Sequence, residues 1–202
     1  MGYKIISRAA VGLALITLSV AIWQLFGAGE HYAPKPLGYP RIELPAHEYV
    51  PLQGNFPYQF ELSKHAVVRP HQGKTTETYW IDICYPAFGA EIKLTYKPVQ
   101  HSRQRLQEYC NDAYKLTAKH QVKASAIQEQ VLVTPLGYEA VLMDLKGEVP
   151  SQVQFYTTDE ECHFLRGALY FNTATENDYL APVIAFIRED ILHLLQTLKW
   201  KD

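Results

Sequence analysis

The side chains best suited to chemistry in this chain are its histidines, its cysteines and one acidic turn, and their spacing decides what they can do. The eight histidines are His31, His47, His65, His71, His101, His120, His163 and His193. No pair stands at the i, i+4 separation of an HExxH helix, which presents two imidazoles to one zinc ion. The run Asp159, Glu160, Glu161, Cys162, His163 contains the side-chain types of a metal site. Yet His163 shares its period-two phase with Leu165, Leu169 and Phe171, which favours a hydrogen-bonded histidine at the edge of a core. Glu189 and Asp190 precede His193 by about one helical turn, a carboxylate and histidine spacing equally at home on a solvated helix face. There is no GxSxG elbow and no glycine-rich loop to cradle a phosphate. An enzyme is therefore not expected, nor a metal or other cofactor, and no small-molecule substrate is identified.

What does stand out is a polar and aromatic set on two neighbouring strand-like segments. With Val153 and Phe155 turned inward, Gln152, Gln154 and Tyr156 point the other way, as do Arg166, Tyr170 and Asn172 on the next segment. Such a set is either a solvated sheet face or a partner-binding surface, since tyrosine and arginine are favoured where a ring or guanidinium is buried with its polar end satisfied. These six residues are the candidate binding site. The cysteines Cys84, Cys110 and Cys162 form no CxxC pair, so neither a zinc knuckle nor a dithiol motif is present. They read as small half-buried residues, with one disulfide allowed in an oxidising compartment.

The elements that position these residues follow from hydrophobic period. Tyr58 to Val68 and Tyr79 to Tyr85 read as strands, the second with Tyr79, Ile81, Ile83 and Tyr85 on one face. After a turn at Pro86 to Gly89, Ala90, Ile92, Leu94 and Tyr96 alternate with Glu91, Lys93, Thr95 and Lys97, giving a half-buried hairpin. From His101 to His120 the spacing becomes helical, with Leu106, Cys110, Ala113, Thr117 and His120 on one stripe flanked by Tyr109 and Leu116. Two further hairpins are expected, Ile127 to Val133 with Glu139 to Lys146, and Gln152 to Thr158 with His163 to Asn172. A closing amphipathic helix starts near Asn177 or Asp178 and carries Leu180, Ile184, Ile187, Ile191, Leu194 and Leu198. Segregated strands and helices imply an α+β single domain: a largely antiparallel sheet with two flanking helices.

Ala9 to Ala28 is an uncharged apolar run of about 20 residues, long enough to cross a bilayer. Lys4 and Arg8 before it orient the N-terminus to the cytoplasm. The alternative is a signal segment cut after small residues such as Gly27 or Gly29, which releases the domain. The expected organisation is a cytoplasmic N-terminus (1–8), a transmembrane anchor or signal segment (9–28), a proline-rich linker (29–57) and a periplasmic globular domain (58–202). The linker holds six of the 12 prolines and still offers Tyr39, Ile42, Leu44 and Tyr49 for docking on the domain. A formal net charge of -2 with no basic run argues against nucleic acid as a partner.

The segments PKPLGYPRIELP (Pro34 to Pro45), YWIDICYP (Tyr79 to Pro86), LTYKPV (Leu94 to Val99), EVPSQVQFYTTD (Glu148 to Asp159), HFLRGALYFNTATENDYLAPVI (His163 to Ile184) and DILHLLQTLKW resemble, in order and spacing, the gliding-motility-associated lipoprotein D family (GldD). The resemblance covers roughly residues 32 to 201 and implies an envelope component of gliding motility and type IX secretion, with machinery proteins as partners and no enzymatic activity. By analogy it implies a PsbP-like α+β fold. Family members carry a lipidated cysteine shortly before the PKP segment, whereas Phe26 to Tyr32 reads FGAGEHY. A spanning helix in the inner membrane is thus expected where relatives carry a lipid. The alternative to this whole reading is a periplasmic small-ligand or metal-binding module built on Cys162, His163 and the acidic turn.

Overall fold

The computed structural model describes Leu18 and residues 42–72, 77–120, 122–172 and 177–201. Residues 39–202 form one compact unit, distinct from 1–38. The expected anchor lies outside the described residues apart from Leu18, which is helical. Among the described residues no helix is long and apolar enough to cross a membrane.

The strands are β1 (Tyr49–Pro51), β2 (Tyr58–Gln59), β3 (Glu61–Ser63), β4 (Val67–Pro70), β5 (Ile81–Tyr85) and β6 (Ala90–Pro98), followed by helix α1 (Arg103–Ala118). Then come β7 (Ala124–Val133), β8 (Glu139–Gly147), β9 (Val153–Thr158), β10 (His163–Phe171), helix α2 (Asn177–Thr197) and β11 (Lys199–Trp200). Seven strands form one antiparallel sheet in the order β4-β5-β6-β10-β9-β8-β7, while β1 pairs with β3 and β2 with β11. The three expected hairpins are all present, so alternating hydrophobicity set strand identity and facing correctly. The α+β class with two helices and an antiparallel sheet is as expected. The helices, however, lie on opposite faces of the sheet.

Period two explains why. On one face Ile92, Leu94, Leu142, Phe155, Leu165 and Leu169 meet Val183, Phe186, Ile187, Ile191, Leu194 and Leu195 of α2. Each fully buried side chain of this kind contributes about 1.5–3 kcal/mol, so α2 is the principal cover. On the other face Val141, Met143, Tyr156 and Phe164 meet Ala113, with Leu106, Tyr109 and Cys110 packed around them. Ser102 caps α1, its Oγ accepting the Arg105 N–H at 3.3 Å.

Three expectations are corrected. The strand expected over Tyr58 to Val68 is broken into β2, β3 and β4, because its pieces pair with three different partners. Tyr79 leaves the strand with φ 71 and its carbonyl accepts the Tyr58 hydroxyl at 2.6 Å. The linker does not end at residue 57: residues 42–57 belong to the compact unit, with Leu52 buried and β1 zipped to β3.

The tightest point in the sheet is Gly167 of β10. A Cβ built there would stand 2.3 Å from the Phe155 ring and 3.0 Å from Leu94. The ring of Phe155 occupies the place of the missing side chain. Gly167→Ala is expected to lower stability by about 1–3 kcal/mol through forced displacement of a packed ring. A denaturant titration with an unchanged midpoint contradicts this.

Candidate functional site

The six residues expected to form a binding surface divide into two groups. Gln152, Gln154 and Tyr156 do point away from Val153 and Phe155, but they are buried, because α1 lies over this part of the sheet. Arg166 Nη2 donates to Gln154 Oε1 at 2.6 Å, and the Thr117 hydroxyl of α1 is 3.2 Å from the same oxygen. Gln152 Nε2 donates to the Val149 carbonyl at 2.8 Å. Tyr156 stacks on Phe164 with ring centroids 5.6 Å apart, and its hydroxyl is 3.4 Å from that of Tyr114. The expected open face is therefore corrected at these three positions: side-chain parity was legible, whereas the placement of α1 was not. The expected pairing across the hairpin does occur, with Arg166 opposite Tyr156.

Arg166 marks the border of α1's cover, and Tyr170 and Asn172 continue onto the part of the same face beyond it. Register places Lys97 beside Phe164, Thr95 beside Arg166 and Glu91 beside Tyr170, so the polar side of β6 shares the α1 face of the sheet. Asp82 and Cys84 of β5 extend it, opposite Lys93 and Glu91. The result is a platform of half-buried, mixed-charge side chains. Lys93 pairs with Glu91 at 2.9 Å and stands 5.6 Å from the Tyr170 ring centroid. Lys97 stands 4.9 Å from that of Tyr109. His71 Nδ1 is 2.8 Å from Asp82 Oδ1. Asn172 is exposed at the rim, its N–H bonded to the Gly89 carbonyl at 2.9 Å.

The electrostatics suit recognition better than reaction. Burial pushes the Cys84 thiol up, and likewise Cys110, which keeps both protonated. Burial draws the Arg166 guanidinium down, while Tyr170 opposes that shift. The hydrogen bond that Lys93 donates to Glu91 raises Lys93. No nucleophile and base are paired on this platform.

The acidic turn is used structurally. Asp159 Oδ1 accepts the N–H groups of Glu161, Cys162 and His163 at 3.1, 2.9 and 2.8 Å. His163 is the core-edge histidine its phase indicated: its Nδ1 is 2.8 Å from the Tyr96 hydroxyl, and its ring stacks on Trp200 at 5.0 Å. Among the described residues no three His, Cys, Asp or Glu side chains are placed to hold a metal ion. All three cysteines are half-buried, and no disulfide joins them.

A second cluster escaped the sequence reading. Asp190 on α2 is buried and accepts from the Tyr85 hydroxyl at 3.0 Å, with His47 Nδ1 at 2.8 Å. His47 Nε2 is 2.9 Å from Glu189, and its ring stacks on Phe186 at 4.3 Å. Tyr49 stacks on His193 at 3.5 Å, and His193 pairs with Glu61 at 2.8 Å. The helical spacing of Glu189, Asp190 and His193 thus serves a clamp that holds the segment around β1 on α2. His47 and Asp190 lie 143 residues apart, which no local pattern can reveal.

A family model described as gliding motility lipoprotein GldD matches residues 29–200. Among curated proteins no sequence match is found. Among solved structures, the solution structure of cyanobacterial PsbP (CyanoP) from Synechocystis sp. PCC 6803 aligns at TM-score 0.44 and 9% identity. That alignment covers 82% of this chain and 99% of the other.

The clamp has an alkaline limit. Burial, reinforced by Asp190 and Glu189, pushes the Tyr49 phenol up to about 12, and burial with Asp190 raises Tyr85 as well. A phenol whose folded value lies above its unfolded value of 10 contributes stability that is intact below about pH 10 and is lost as pH rises through about 12. Stability is expected to fall across that window, and Tyr49→Phe to flatten part of the fall. Equal slopes for the two proteins, followed by denaturant unfolding at each pH, contradict the assignment.

Proposed function

The chain belongs to the gliding motility lipoprotein GldD family, and from that membership we propose a non-enzymatic assembly or stabilising factor of the cell envelope, required for gliding motility and type IX protein secretion. It acts by binding other proteins of that machinery. The observation that carries the binding role is the uncovered half of the α1 face, where Tyr170, Arg166, Lys93 and Glu91 stand on a rigid antiparallel platform. Aromatic and guanidinium groups held by a packed sheet lose little conformational freedom on association, which is what an interface anchor requires.

The proposal includes a tether. Ala9 to Ala28 is apolar and of spanning length, preceded by Lys4 and Arg8, and Phe26 to Tyr32 lacks the cysteine that an acyl chain needs. A spanning helix keeps the domain at the inner membrane, facing the periplasm. Cleavage of that segment would release it instead.

Tyr170 and Lys93 are the cleaner probes of the platform, because Arg166 is engaged with buried Gln154 and its reversal would strain the fold. Tyr170→Ala combined with Lys93→Glu is expected to cut recovery of machinery subunits from solubilised membranes about tenfold or more, the loss of one to two interface anchors. Its melting transition should stay within a few degrees of the parent. Undiminished recovery would move the binding role off this platform.

A further inference from the structure

The two edges of the large sheet are built differently. The β4 edge is four residues long and carries Arg69 and Pro70, both of which discourage a further strand. The β7 edge runs ten residues from Ala124 to Val133 with no proline, lysine or arginine, and Glu129 is its only charge. Its second side faces no strand among the described residues. The four most exposed large apolar side chains among residues 42–201 all lie on it or at its ends: Val122 at 94%, Val133 at 76%, Val131 at 57% and Leu136 at 51%. A long edge with no proline or lysine, and with its bulge confined to the Ala124 end, is a template for β-pairing.

We propose that this edge pairs with the same edge of a second copy of the chain, antiparallel, so that two seven-stranded sheets become one. The register follows from the strand itself. A two-fold axis perpendicular to the sheet keeps each side chain on its own face, so only pairings in which the two residue numbers sum to an even value bring like faces together. A bulge between Ala124 and Ala126 leaves Ala126 to Val133 as the regular part of the strand, whose midpoint falls between Glu129 and Gln130. Of the two axes there that satisfy this parity, the one at Gln130 keeps the Glu129 carboxylates of the two copies apart.

That register is also the complementary one. Ile127 of one copy meets Val133 of the other, twice, and Glu129 stands beside Val131 instead of its own symmetry mate. The neighbouring register centred on Glu129 would set the two carboxylates face to face. Glu129 is oriented meanwhile by the Tyr114 hydroxyl at 2.9 Å. Antiparallel pairing also brings Leu136, in the turn after β7, to the end where Val122 of the other copy precedes β7. Val133, Leu136 and Val122 thereby gain apolar neighbours. The match of Ile127 with Val133 and of Leu136 with Val122 at both ends favours a second copy over a foreign strand.

The test uses the full chain in detergent micelles, followed by sedimentation and by oxidative crosslinking. The parent is expected to be a dimer at tens of micromolar, and Val131→Lys a monomer with the same melting transition. Gln130→Cys, at the axis, is expected to crosslink to itself well above the background of the native cysteines. Gln128→Cys, which faces Leu132 of the other copy, is expected to stay near background. A monomeric parent, a dimer that survives Val131→Lys, or equal crosslinking at 128 and 130 each overturns the proposal.

Discussion

The structure depends on one constraint: a seven-stranded sheet exposes two faces to water, and among residues 42–201 two described helices cover them. The longer, α2, brings a wide apolar stripe and closes one face around Phe155, Leu165 and Leu169. The shorter, α1, fully buries only Ala113 and Thr117, and packs over β8, β9 and β10. What α1 covers becomes a second core, and what it leaves uncovered must be polar to stay in water. The alternation of Glu91, Lys93, Thr95 and Lys97 against buried Ile92, Leu94 and Tyr96 is that requirement written along β6.

The two cores differ in kind. The α2 side is apolar and gains its stability from area. Under α1 sit Gln154, Thr117 and Arg166, whose mutual hydrogen bonds offset the cost of removing them from water. Such a network favours one placement of α1 over others, since a shifted helix would lose the Thr117 bond to Gln154. The clamp on α2 works similarly. Asp190 is buried with partners from two other parts of the chain, His47 and Tyr85, and it fixes where the segment before β1 runs. The domain thus holds its own N-terminal residues, 42–57, to the same helix that closes its main core.

Much of this was legible in the sequence, and the reasons are specific. Period two gave the strands and their facing, as in Ile81, Ile83 and Tyr85, because a half-buried strand cannot hide its alternation. Period 3.6 located both helices to within about two residues at each end. The partition of the six candidate residues was not legible. Gln152, Gln154 and Tyr156 look as solvated as Tyr170 and Asn172, and only the docking position of α1 separates them. Nor was the clamp, since His47, Tyr85 and Asp190 come from distant segments whose local patterns concern other contacts. The short pairing of β2 with β11 was missed because two residues carry no period. His163 was read correctly, as its phase with Leu165 outweighed the ligand types around it.

The binding role proposed for the half-face beside α1 is open to test in living cells. Site-specific photocrosslinking in cells tests it directly, with the reactive residue placed at Lys93 or Lys97 on the platform and, for comparison, at Gln196 on the outer side of α2. The account predicts discrete adducts with other envelope proteins from positions 93 and 97 and none from 196. Adducts from 196 alone would contradict it.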